Sequence, residues 1–156
     1  MTTLIDHCTG LPVHTFAAGE TILEENQKDG RLFVLKKGVV EISKRGTLIN
    51  RLSSAGSVLG EVAILLDQPR GASVVAVEPT EAYEVADGTQ FLAGNPDLMS
   101  LVAKLLARRL KNLTDEVVEI REQLETLTED EDESISPHAL DAVLKRLIDR
   151  HMDREF

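Results

Sequence analysis

The chain has one cysteine, Cys8, which excludes an internal disulfide framework and fits a reducing compartment. Tryptophan is absent and aromatics make up 3% of the 156 residues, so a core must be built from Val, Leu, Ile and Ala, within an apolar content of 42%. No stretch approaches the ~20 apolar residues of a membrane-spanning helix. The start, Met1-Thr2-Thr3-Leu4-Ile5-Asp6-His7-Cys8, lacks the basic segment and apolar run of a secretory signal, and a cytoplasmic protein is expected. The four histidines, His7, His14, His138 and His151, are scattered without a ligand spacing, which argues against a metal site. Cys8 has no neighbouring feature of an activated thiol.

Positive charge is also scarce: 17 Lys and Arg face 27 Asp and Glu, a net charge of −10. The excess is local. Residues 115–133 hold ten acids and one base, Arg121, leaving 17 acids against 16 bases elsewhere. Neither part offers the basic face that a phosphate backbone requires, so direct DNA binding is not expected.

What the chain does have is a run of short apolar segments broken by glycine. Thr21–Leu23, Arg31–Leu35, Val39–Ile42, Leu48–Leu52, Ser73–Val77 and Ala82–Val85 read as strands. Turn signals separate them: Ala18-Gly19-Glu20, Lys28-Asp29-Gly30, Lys37-Gly38, Arg45-Gly46-Thr47, Ala55-Gly56-Ser57 and Glu78-Pro79-Thr80. Many short, evenly spaced strands predict an antiparallel barrel or β jelly roll (a double-stranded β-helix), in a protein that is mainly β with α. After Asp87 the pattern becomes helical. A short helix is expected near Gly88–Leu92, then a long one capped by Asn95 with Pro96 at its first position.

From Leu106 the spacing alternates by four and three through Leu110, Leu113, Val117, Ile120, Leu124 and Leu127, an a/d heptad pattern. The stripe is narrow and its other faces are acidic, which suits a partner helix. A parallel homodimer through residues 106–127 would place Glu116 opposite Arg121 of the other chain; the alternative is a helix folded back on its own barrel. The expected organisation is a jelly roll with its short lid helix over 1–94, a dimerisation helix over 95–127, and an acidic linker with a short amphipathic helix over 128–156. That last helix, with Leu140, Val143, Leu144, Leu147 and Ile148 on one face, needs something to pack against, in cis or on a protein partner. The acidic run lacks the glycine and the spaced terminal Glu of a calcium loop.

The segment 59–73 carries the chemistry: Leu59-Gly60-Glu61-Val62-Ala63, then Pro69-Arg70-Gly71-Ala72-Ser73. Glu61 accepts from hydroxyls and Arg70 suits two phosphate oxygens. An acid in an apolar run needs a partner; a Glu61–Arg70 ion pair would be the purely structural one. The ordered set resembles the phosphate-binding cassette of cyclic-nucleotide-binding domains, whose pattern runs Phe-Gly-Glu-Leu-Ala and then Pro-Arg-Ala-Ala-Thr. Phe16–Ile22 and Leu32–Ile42 are similar to the family's first strand and central strand pair, and the resemblance covers about residues 11–127. Ala107-Arg108-Arg109-Leu110 and Thr114-Asp115-Glu116-Val117 are similar to the dimerisation helix of catabolite-activator-type sensors. The winged-helix DNA reader that follows there has no counterpart in the acidic segment after Leu127.

The resemblance implies that Glu61 binds the ribose 2′-hydroxyl, that Arg70 pairs with the cyclic phosphate, and that the amides of Ala63 and Gly71 donate to it. A short helix after Gly60 would aim its N-terminus at the anion, with Val62 and Ala72 shaping the pocket and Ser73 closing the cassette. Gly71 offers no hydroxyl where readers of cyclic GMP often carry a threonine, so cAMP is expected over cGMP. Thr114 matches a serine that reaches the base from the partner chain, and Leu113 replaces an adjacent threonine. The expected function is a stand-alone cyclic-nucleotide receptor relaying through lid and long helix; the alternatives are a ligand-free scaffold of the same fold, or a metal-dependent jelly-roll enzyme. The last is disfavoured because the strand region holds only His14 and shows no nucleophile–base pair.

Overall fold

The computed structural model describes residues 3–129 and, beyond them, 141, 142 and 145. Two compact units divide the chain, Met1–Ala103 and Lys104–Arg154.

The first unit is a β-roll. A 3₁₀ turn at Leu4–Cys8 precedes β1 (Val13–Phe16), β2 (Thr21–Leu23), β3 (Leu32–Lys37), β4 (Val40–Lys44), β5 (Thr47–Leu52) and β6 (Val58–Leu59). Then come α1 (Glu61–Leu65), β7 (Ser73–Ala76), β8 (Thr80–Val85), α2 (Gly88–Ala93) and α3 (Pro96–Glu129), whose first turns belong to this unit. Two four-stranded antiparallel sheets result, ordered β1-β8-β3-β6 and β2-β7-β4-β5. This is the expected jelly roll.

The six expected strands all form, with ends shifted by a residue or two. Two more were not legible. The residues of β1 are exposed except for the half-buried Phe16, so no alternation marks them, and β6 has only two residues. Both are strands by pairing, Val13 with Tyr83 and Val34 with Val58. The β4–β5 connection is tighter than expected: Lys44 pairs with Thr47, leaving Arg45 (φ 52°) and Gly46 (φ 76°) as a two-residue turn. Positive φ at both central residues is the type I′ geometry whose twist matches the strands.

The core is aliphatic. Leu32, Phe33, Val34 and Leu35 are buried consecutively in β3, a strand covered on both faces. Leu52, Val58 and Leu59 join them, as do Leu92 of α2 and Leu98 and Val102 of α3. Cys8 is fully buried and burial pushes its thiol up to about 11, so it is an inert apolar filler. Asp87 Oδ1 accepts from the Gln90 amide at 2.9 Å to start α2. Asn95 Oδ1 accepts from the Leu98 amide at 3.1 Å to start α3, and its amide group meets His7 Nδ1 at 2.9 Å.

In the second unit α3 carries the heptad stripe, and Leu110, Leu113, Val117, Ile120 and Leu124 are all exposed in a single chain. The helix is described as far as Glu129, two residues past Leu127. The remainder of the expected linker, and the amphipathic helix after Ser136 with Leu140, Val143, Leu144, Leu147 and Ile148, lie outside the described residues apart from the helical positions 141, 142 and 145. Among the described residues no helix is long and apolar enough to cross a membrane.

Gly38 ties the two sheets together between β3 and β4. Its φ is 108°, and a Cβ there would collide with the Thr80 hydroxyl and sit 2.7 Å from the Thr80 Cα. Thr80 is fully buried, its hydroxyl donating to the carbonyl of Glu78 at 2.8 Å. Gly38→Ala is therefore expected to destabilise the fold by about 3–5 kcal/mol, combining backbone strain with overpacking. Urea unfolding of the variant and wild type measures it.

Candidate functional site

The cassette is held by the turn into α1. Gly60 is left-handed (φ 93°) and is the residue before the helix. A Cβ at this position would collide with Nη1 of Arg70 and lie 3.0 Å from the Leu23 side chain. Glycine is thus required twice, for its backbone angle and for clearance over the guanidinium. Having no side chain, Gly60 cannot cap the helix, and the first amides of α1, including that of Ala63, have no intrahelical acceptor. With five residues α1 is a turn and a half, so these amides matter more than any helix dipole. Glu61 opens α1 and is 2% exposed, Val62 is exposed, and Ala63 is half-buried.

Arg70 is 3% exposed. Its main chain is stitched to the β2–β3 loop: its amide donates to Gln27 O and its carbonyl accepts from the Asn26 amide, both at 2.8 Å. Nη2 donates to Asp29 Oδ1 at 2.5 Å and to the carbonyl of Arg31, and Nη1 donates to the carbonyl of Gly60 at 3.4 Å. Nε is buried and, among the described residues, has no hydrogen-bond partner. Arg70 thus pairs with the carboxylate of Asp29, which the sequence offered only as part of a Lys-Asp-Gly turn.

Asp29 is itself held by Arg31, whose amide donates to Oδ1 at 3.1 Å and whose Nε and Nη2 donate to Oδ2 at 3.1 and 2.8 Å. Burial alone would raise the Asp29 carboxyl; the bonds from Arg31 and Arg70 outweigh it and hold the group below the ordinary carboxylate range. An open pocket here is lined by Lys28, Asp29, Ala63, Gln68, Arg70 and Thr89 among others. Glu61 and Gly71 are not in its lining, so it is not the hollow where a sugar contact by Glu61 would be made.

The rest of the cassette is looser. Gly71 is exposed, has no positive φ, and a Cβ there would meet nothing within 4 Å, so neither strain nor space demands glycine. Ala72 and Ser73 are half-buried, and the Ser73 hydroxyl accepts from the Glu25 amide at 3.0 Å, which gives it a part in the frame. Leu113 and Thr114 belong to the second unit and are exposed; the Thr114 hydroxyl donates to the Leu110 carbonyl at 2.9 Å. The contact expected of them crosses a dimer, and one chain does not contain it.

A family profile described as Cyclic nucleotide-binding domain matches residues 13–91, half of the chain and the whole of its roll. The chain belongs to the cyclic nucleotide-binding domain family. Its relatives within that family are varied. It is 31% identical over 109 residues to the Pycsar effector protein XpPycTIR of Xanthomonas perforans, covering 69% of this chain and 36% of that one. It is 37% identical over 75 residues to a cGMP-dependent protein kinase of Eimeria tenella, covering 48% of this chain and 7% of the kinase. It is 28% identical to the cAMP-activated global transcriptional regulator CRP of Pasteurella multocida, covering 72% of this chain and 56% of the regulator. The chain thus spans well under two thirds of the curated relatives it matches. Among solved structures, the Thermus thermophilus Catabolite Activator Protein shares the fold, with a TM-score of 0.63 at 24% identity over 77% of this chain and 60% of that one.

The two cassette glycines of this cyclic nucleotide-binding domain are expected to differ on substitution. Gly60→Ala should lose about 2–4 kcal/mol of stability through backbone strain and displacement of Arg70. Gly71→Ala should stay within about 0.5 kcal/mol of wild type, as an unconstrained surface change does. Urea unfolding compares them. The lowered Asp29 pKa also sets a sign. Its stabilisation is complete above the ordinary carboxylate range and is lost as pH falls through its depressed value. The stability gap between wild type and Asp29→Asn, measured by unfolding at stepped pH, should therefore be widest near neutrality and shrink below about pH 4.

Proposed function

We propose that this chain is a cyclic-nucleotide receptor that takes cAMP in preference to cGMP and works as a homodimeric binding module. The observation that carries this reading is the buried Nε of Arg70. Its two terminal nitrogens are held by Asp29, Arg31 and Gly60, while Nε has no protein acceptor among the described residues. A buried donor left unmatched costs about 1–3 kcal/mol. A phosphate oxygen supplies the acceptor, with a charge that suits an arginine already fixed in place. Glu61, buried at the start of α1, takes the sugar hydroxyl, and the amides of Ala63 and Gly71 complete the anion cradle with Ala72 at its wall.

The preference for cAMP rests on Gly71, which brings no hydroxyl to the base. The related proteins named above include both a cGMP-dependent kinase and a cAMP-activated regulator, so the family itself leaves the base open. Dimerisation rests on the exposed stripe from Leu110 to Leu124: a helix that keeps five large apolar side chains in water gains from pairing them. In the dimer, Leu113 and Thr114 would meet the partner's ligand, and the nucleotide would act through α2 and α3 on a protein partner. Ligand drives such a relay only by binding its two states unequally. The chain works in the cytoplasm as a binding module without a reaction of its own.

Calorimetric titration with cAMP and cGMP tests the reading. Wild type should bind cAMP more tightly than cGMP, and Arg70→Ala should lose at least about a hundredfold in affinity, the scale of a charge-assisted contact with phosphate. Unchanged binding by Arg70→Ala would remove Arg70 from the site. Sedimentation tests the dimer: Val117→Asp should convert it to monomer, whereas a monomeric wild type would refute it. For the relay, saturating cAMP should change hydrogen exchange across residues 87–129; an identical exchange pattern would refute it.

A further inference from the structure

We propose that Arg31 is a positioning residue for Arg70, and that Glu84 governs how much of Arg31 is available for that task. The proposal rests on the reading of Arg70 as the phosphate ligand. Arg31 reaches Arg70 by two routes. Its carbonyl accepts directly from Arg70 Nη2. Its amide and its planar fork together place three donors on Asp29, the carboxylate that Arg70 also uses. The two arginines share one anion, so what Arg31 takes from Asp29 is not available to Arg70. A phosphate arriving at Arg70 competes with Asp29, and the firmer Arg31 holds Asp29, the easier that competition becomes.

Arg31 is held from its far side as well. Its Nη1 lies 3.6 Å from Glu84 Oε1, and the other oxygen of Glu84 takes His14 Nε2 at 2.5 Å. The guanidinium also stands over the Phe33 ring, 6.0 Å from its centre. The groups therefore run Arg70, Asp29, Arg31, Glu84 in alternating sign, from the cassette to β8, with His14 of β1 bonded to the last carboxylate. Glu84 draws charge from Arg31 away from Asp29. Neutralising Glu84 returns Arg31 to Asp29 and loosens Asp29 from Arg70; replacing the Arg31 fork does the reverse.

These opposite signs make the test. Lysine keeps the charge of Arg31 but has no planar fork to place two fixed donors on Asp29 Oδ2. By cAMP calorimetry, Arg31→Lys should weaken binding by about three- to tenfold, the net effect of losing one ordinary hydrogen bond. Glu84→Gln should tighten it by about two- to threefold, on the scale of one partly exposed charge pair. That tightening should vanish in the Arg31→Lys background, because the two act in series. A role confined to structure would weaken binding in both single variants, and a role confined to long-range charge would leave Arg31→Lys within twofold of wild type; either result overturns the proposal. Should Arg31→Lys fail to melt cooperatively, Glu84→Gln at the outer end decides alone, and unchanged or weaker binding there overturns it. Arg70→Ala in the same series separates the two readings. If Arg70→Ala loses binding while Arg31→Lys and Glu84→Gln do not move it, Arg70 keeps its role and Arg31 does not. If wild type binds neither nucleotide, or Arg70→Ala binds as wild type does, both fall.

Discussion

A guanidinium cannot shed its charge inside a protein, so burying Arg70 fixes a set of demands that its surroundings have to meet. A charge of one sign must be near, and Asp29 is there. Carbonyls must face the remaining hydrogens, and those of Gly60 and Arg31 do. Space must be left where the fork passes the chain, and this is the reason for glycine at position 60. The main chain around Arg70 is bonded to Asn26 and Gln27, so the loop that supplies the carboxylate also supplies the stitching. Among the described residues the buried Nε has no hydrogen-bond partner. The cassette is a frame built around a buried cation.

Much of this was readable beforehand, and the part that was not has a physical reason. Strands with buried neighbours, such as β3 and β7, announced themselves by apolar runs. The cap of α3 did so through Asn95-Pro96, because capping is decided within one turn of chain. Gly60, Glu61 and Arg70 stood out through order and spacing. Asp29 did not: Lys28-Asp29-Gly30 is an ordinary turn in sequence, and its importance arises from residues 41 positions away. Arg31 was absorbed into a strand, and its three bonds to Asp29 carry no periodic signature. β1 and β6 were missed for a similar reason, since the pairing that makes each a strand comes from β8 and β3. Local physics is written in local sequence; charge networks across a roll are not.

The long helix serves two environments in turn. Its first turns bury Leu98 and Val102 in the roll, while its later turns present Leu110 to Leu124 to solvent in a single chain. A helix whose apolar positions change from filled to open along its length is suited to joining a folded unit to an assembly.

The tripeptide Asp29-Gly30-Arg31 does several things within three residues. Asp29 and the carbonyl of Arg31 hold Arg70, and between them the carbonyl of Gly30 accepts from the Gly88 amide at 2.9 Å, where α2 begins. A Cβ on Gly88 would lie 3.0 Å from that carbonyl, tighter than ordinary contact. Surface loops ordinarily absorb insertions and deletions with little harm. This one has no spare length: one residue more or less would part the arginine from its carboxylate or α2 from its anchor. A peptide tag grafted into the roll would therefore disturb less at the Arg45-Gly46 tip than within 29–31, where the loop length sets a dimension of the domain.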